Sequence, residues 1–218
     1  MNTLPEITEK VLTPRVTELL ARGPTRQLVS RYFNPQGRET FAGNFFHTLG
    51  ANDPDRFGND DLLSLNLLDE SVTTPQIREL TSGKYDELLM NIDSNVDITY
   101  LDGDLYDHAD QLYRALRRIH GFGPTRVSKL LARKRPKLLP IRDSIVNEQL
   151  HLSGFSWWRS LAATMRQDSV TELLDEVTPP TQEDAPSRLR VLDAAIWMHG
   201  SKSKAVRKVR MELEKIEK

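Results

Sequence analysis

The nine residues Ile119-His120-Gly121-Phe122-Gly123-Pro124-Thr125-Arg126-Val127 decide how this chain folds. Before them, Leu112, Leu116 and Ile119 lie on one stripe of a helix, and after them Val127, Leu130 and Leu131 line another. Glycines on either side of one apolar residue predict a tight hairpin between the two helices. They permit positive φ and the close approach of another molecule, while Phe122 anchors the turn in the core. Pro124 suits the first position of the second helix, where its missing N–H would have no partner anyway. The hairpin's free N–H groups, with the positive end of the second helix dipole, form an outward-facing anion site.

Outward from the hairpin, helical periodicity dominates and almost nothing alternates with period two, so the fold is expected to be all-α. Val11 to Leu28 reads as two short helices separated by Gly23-Pro24. Tyr32 to Gly58 is aromatic and punctuated by Gly and Pro, and is expected to be an ordered loop. Asn59 or Asp60 is expected to cap a central helix bearing Leu62, Leu63, Leu65, Leu67 and Leu68, followed by an acidic helix over Pro75 to Leu89. Beyond the hairpin, helices are predicted over Asp143 to Leu152, Trp157 to Met165, Val170 to Val177 and Arg188 to His199, with a charged helix or tail at the end.

Charge is polarised along the chain. The 218 residues hold 30 basic and 31 acidic side chains, a net charge of −1. Yet Arg114 to Arg142 carries ten basic residues and no Asp or Glu, which leaves −11 elsewhere, and Ala51 to Asp110 alone holds 15 acids against three cations. Ten like charges in one segment repel unless a polyanion or a neighbouring acidic surface compensates them. A nucleic-acid face is one reading. The second is a face turned to an acidic partner, or to the chain's own acidic half.

Composition removes other classes. With no cysteine, disulfide scaffolds, thiol catalysis, Cys-bound zinc and an iron–sulfur cluster are excluded. No apolar run approaches a membrane span and the first residues carry acids, so no membrane partner and a cytoplasmic location are expected. Asp53 to Ser64 imitates a calcium loop but has Phe57 and Ser64 where ligands belong, and the five histidines form no ligand pair, so no metal site is expected. No phosphate-cradling nucleotide loop or nucleophile elbow is present, and no small-molecule cofactor is expected.

The hairpin, followed twenty residues after Gly123 by Asp143 within Ile141-Arg142-Asp143-Ser144-Ile145-Val146, resembles the helix-hairpin-helix signature of the DNA glycosylase superfamily that includes endonuclease III. The similarity is tight over 119–146 and loose elsewhere, and the whole chain is expected to belong to a family of uncharacterised bacterial proteins with this hairpin. The resemblance implies two helical lobes with a groove between them. One lobe would comprise 1–58 plus 153–218, and the other 59–152, with the helix-hairpin-helix at 112–146. It implies double-stranded DNA as partner, gripped by Gly121, Phe122, Gly123, Thr125 and Ser144 and by the charges of Arg126, Lys129, Arg133, Lys134 and Arg135. It also implies a monovalent cation on the hairpin carbonyls and a catalytic Asp143.

Departures from the pattern bear on chemistry. Members that cut the strand carry a Lys two residues after the second hairpin glycine, where this chain has Thr125. Lys129 lies a turn further on, off the motif position. Similarity therefore lies with monofunctional glycosylases, DNA-repair hydrolases in which the Asp carboxylate stabilises the sugar cation as the base leaves. Asp143 equally suits a helix N-cap after Pro140, and a DNA-binding protein of the same fold without catalysis is the alternative. His120 is expected to be partly buried, and one of Trp157 and Trp158 to be core while the other is free to stack on a base.

Overall fold

The computed structural model describes residues 9–152, 157–180 and 185–216. Among these residues the apolar stripes become twelve α-helices and one 3-10 turn, with no strand, so the protein is all-α. In chain order the helices are α1 (Glu9–Leu20), α2 (Thr25–Phe33), α3 (Asn59–Asn66), α4 (Thr74–Leu80), α5 (Asp86–Met90), α6 (Gly103–Arg117), α7 (Pro124–Lys134), α8 (Ser144–Leu150), α9 (Trp158–Met165), α10 (Asp168–Val177), α11 (Arg188–Gly200) and α12 (Lys204–Ile216). Most element ends shift from the sequence expectation by a residue or two, and two differences have a local cause. The acidic helix is split into α4 and α5 at Gly83, whose φ of +84° is left-handed and ends any helix. The residue preceding α3 is Gly58, whose N–H donates to Asp61 Oδ2 at 2.8 Å, rather than Asn59 or Asp60.

The chain forms two compact units, Phe45–Asp143 and the pair Met1–Asn44 with Ser144–Lys218. The boundaries thus fall at residues 44/45 and 143/144, whereas the sequence reading puts them at 58/59 and 152/153. The loop after Asn44 joins the first unit because Arg133 holds it there. The Arg133 guanidinium is buried and donates to the carbonyls of Phe46 (2.9 Å), His47 (3.0 Å), Leu49 and Ala51 (3.2 Å), as well as to Asp61 Oδ1 (3.3 Å). An irregular segment has no helix or sheet ladder for these carbonyls, so the buried five-donor fork of Arg133 supplies their partners.

Lys134 and Arg135 extend the network. The Lys134 ammonium pairs with Asp61 and donates to Asn52 Oδ1 (3.1 Å) and Asp53 O (2.7 Å). Arg135 donates to Ile92 O (2.9 Å), Leu89 O and Pro54 O (2.7 Å), closing the carbonyl end of α5. Burial pushes the Lys134 and Arg135 pKa values down, and the facing carboxylates and carbonyls offset part of that cost. α7 packs against both α3 and α6, and Val127 to Arg135 is buried without a break. It is therefore a central helix of this unit and presents no basic outer face.

In the other unit α11 is apolar almost all round and packs against α2, α8 and α10. Its one buried cation, Arg190, pairs with Asp193 and donates to the Tyr32 hydroxyl and to Gly43 O. Tyr32 in turn donates to Ala42 O at 2.9 Å and packs among Phe33, Phe41 and Trp197. Trp157 and Trp158 are both buried, which corrects the expectation that one is free to meet a base. The sequence reading joins their helix to its predecessor around Gly154, which lies outside the described residues. His199 is largely buried beside Thr25, whose hydroxyl donates to Leu19 O (3.0 Å) and stands 2.8 Å from His199 Nε2, so Nε2 carries the ring hydrogen of a neutral imidazole.

Two outcomes follow for stability. Asp61→Ala leaves Arg133 and Lys134 buried without their carboxylate and is expected to cost about 3–5 kcal/mol in urea unfolding; a midpoint equal to wild type would show that the carbonyls suffice. Burial, with Arg22 and Arg210 nearby, lowers the His199 pKa from 6.5 to about 4. The unfolded chain then binds a proton that the folded one refuses, so this contribution to stability is present above pH 6.5 and is lost as pH falls toward 4. His199→Gln should flatten the decline in unfolding midpoint across that window, and an unchanged decline would remove His199 as its cause.

Candidate functional site

The hairpin between α6 and α7 has an orderly division of polar groups. Gly121 takes φ +80°, the left-handed value that a non-glycine residue resists, and Phe122 is buried beneath the turn with its N–H donating to Ile119 O at 3.0 Å. Every carbonyl from Ile119 to Gly123 accepts a hydrogen bond. His120 O receives Gln76 Nε2 (2.7 Å), Gly121 O receives Arg126 Nη1 (3.0 Å), Phe122 O receives Arg117 Nη1, and Gly123 O receives the Val127 N–H (3.1 Å). The N–H groups of Gly121, Gly123, Thr125 and Arg126 have no acceptor among the described residues. Gly121 is exposed and Gly123 and Thr125 are half-exposed, so the open donors lie where solvent or a ligand reaches them.

This one-sided arrangement has the chemistry an anion would need: N–H donors at the positive end of α7, with one hydrogen bond already on each carbonyl. The Arg126 guanidinium is fixed by three contacts. Its Nε donates to Glu70 Oε2 (3.0 Å), its Nη1 to Gly121 O, and its carbon lies 5.4 Å from the centre of the Phe122 ring. The monovalent cation expected on the hairpin would share carbonyl oxygens that each already accept one hydrogen bond.

The structure separates the expected charge-bearing residues. Lys129 turns inward, its ammonium donating to Leu68 O (2.7 Å) and Glu70 Oε1 (3.0 Å). Arg133, Lys134 and Arg135 are the buried cations of the carbonyl network described above. All four are therefore corrected from phosphate contacts to internal partners, the physical reason being that α7 is enclosed by the acidic and carbonyl-rich parts of its own unit. Of the ten cations in the segment, Arg114, Arg118 and Lys137 are exposed, and Arg114 pairs with Asp110. His120 is exposed rather than partly buried.

Asp143 is half-buried, and Ser144, the first residue of α8, is exposed. What precedes Asp143 is tied to the hairpin helix by one buried hydroxyl. Ser128 Oγ accepts the Arg142 N–H (2.9 Å), and its single hydrogen lies between Thr125 O (2.8 Å) and Arg142 O (3.0 Å). A residue on the second turn of α7 thus fixes the backbone of the residue next to Asp143. Sequence reasoning missed Ser128, Gln76, Glu70 and Arg117 as supports of the site. Gln76, 44 residues before the carbonyl it caps, left no local signal, whereas Arg117 stands in the basic run and directly precedes the turn.

Residues 25–200 match the model of DUF6308, a family of unknown function, and the chain belongs to that family. No curated protein and no solved structure matches it.

The two hairpin glycines differ in what they require. An added Cβ at Gly121 meets Gln76 Nε2 at 2.9 Å in left-handed backbone, while one at Gly123 meets nothing within 4 Å. Gly121→Ala is expected to lose about 1–2 kcal/mol of stability through the φ penalty, and Gly123→Ala close to none. Equal unfolding midpoints for the two variants would contradict this geometry.

Proposed function

We propose that this protein binds duplex DNA through the phosphate backbone, seating a phosphate on the open N–H groups of Gly121, Gly123, Thr125 and Arg126. The observation that carries the reading is the hairpin's division into a carbonyl side engaged from Ile119 to Gly123 and an N–H side left open at a helix N-terminus. The architecture proposed is that of a helix-hairpin-helix protein of the glycosylase type, with Arg118 and Lys137 adding charge from the surface. With most of the ten cations turned inward, affinity should fall only moderately with salt. Each neutralised phosphate contributes about 0.9 to the slope of log affinity against log salt, so a slope of about 2–4 is expected instead of about 9. A steep slope would restore a broad basic face, and no binding of a duplex at low salt would sink the reading.

The tie between Ser128 and Arg142 favours a second, catalytic reading, because it holds the backbone beside Asp143 in register with the hairpin. In that reading the bond from C1′ to the base breaks and the base leaves with the electron pair, a water oxygen joins C1′, and the proton that this water gives up balances the one the departing base takes up. The Asp143 carboxylate stabilises the sugar cation between these events. Thr125 supplies no amine for a Schiff base, and Lys129 is held by Glu70, so the strand would remain intact. Asp143→Asn separates the readings: base release from a lesion-bearing duplex should vanish with binding retained. Release that survives the substitution would remove Asp143 from the chemistry.

A further inference from the structure

The peptide units of the hairpin connect its two sides. The open N–H of Gly121 belongs to the same peptide as the His120 carbonyl, which Gln76 holds, and the open N–H of Gly123 to the same peptide as the Phe122 carbonyl, which Arg117 holds. A donor on the oxygen of a peptide draws electron density from its nitrogen and strengthens the N–H at the other end, the more so when the donor is charged. Arg126 engages the Gly121 carbonyl, whose peptide carries the Phe122 N–H already donated to Ile119 O, and is itself anchored by Glu70 and set against the Phe122 ring.

We infer that Arg117 and Arg126 are the resident counter-cations of this hairpin, so that it takes no alkali metal ion, and that Arg117 polarises the phosphate-directed Gly123 N–H from within. Arg117, acting through the peptide between Phe122 and Gly123, is a positioning residue rather than a ligand contact. The role in binding rests on the DNA reading above. The charge that a bound ion would bring is supplied by two guanidiniums that cannot lose their protons. Their geometry is set by side chains of the same unit: Glu70 fixes Arg126, and the carbonyl of the buried Phe122 receives Arg117.

The decisive experiment compares the protein in potassium chloride and in tetramethylammonium chloride at equal ionic strength, reading two signals. One is affinity for a fluorescent duplex oligonucleotide; the other is the amide proton shift of Gly123 in the protein alone. Wild type is expected to bind within about twofold in the two salts, and its Gly123 amide to stay in place. Arg117→Met is expected to weaken binding about tenfold, the scale of one hydrogen bond to a charged group, and to move the Gly123 amide upfield, with Arg117→Lys recovering part of both. Loss of wild-type affinity or movement of the Gly123 amide on removing potassium would overturn the inference, as would an Arg117→Met protein with wild-type shift and affinity. Should Arg117→Met fail to fold, the wild-type comparison decides alone. If no duplex binds in either salt, the DNA reading falls, while the amide shifts still settle whether the hairpin's counter-cation is internal.

Discussion

Asp61 is one of the most deeply buried carboxylates in the protein and faces two equally buried cations, Arg133 and Lys134. Most of what surrounds the hairpin depends on this cluster. One carboxylate cannot balance two cations, and the remaining donors are absorbed by backbone carbonyls of the irregular segment between Phe46 and Asp53. The segment has a defined course because it supplies acceptors that these cations require, and the cations tolerate burial because the segment is there. Neither part is stable in this form without the other. α3 begins at the same point, since the second oxygen of the Asp61 carboxylate also receives the Gly58 N–H.

A similar economy governs the hairpin. Two arginines and a glutamine engage its carbonyls, while the N–H groups of Gly121 and Gly123 have no acceptor among the described residues. An isolated turn would offer both signs of partial charge to solvent. Engaging the acceptors leaves a donor surface suited to anions, and in the function proposed above that anion is a phosphate of a duplex backbone. The basic segment thus serves the site mostly from behind, by holding loops and carbonyls, rather than as a charged coat.

The positions of the elements were legible in the sequence to the extent that they depend on local periodicity. The Gly23-Pro24 break, the stripe of Leu112, Leu116 and Ile119, and the turn around Phe122 all rest on side-chain spacing and on the φ preferences of Gly and Pro. The break at Gly83 was equally local, yet the acidic run around it obscured it. The destinations of the charges were not legible. An amphipathic pattern on α7 looks the same whether its polar stripe meets water or meets Glu70, Asp61 and a row of carbonyls, because the pattern records polarity and not the partner.

By itself the sequence determined an all-α chain, a glycine hairpin between two helices with Phe122 inside it, and a charge imbalance that some acidic or polyanionic surface had to answer. Tertiary structure alone decided which surface that was. Gln76, Glu70 and Asp61 lie 44 to 73 residues from the hairpin and α7 groups they bind, and no spacing rule reaches that far. Contacts between distant residues follow from how helices pack, and packing is set by the shape of the whole unit, so the same ten cations could be read as a nucleic-acid face until α7 was seen to be enclosed.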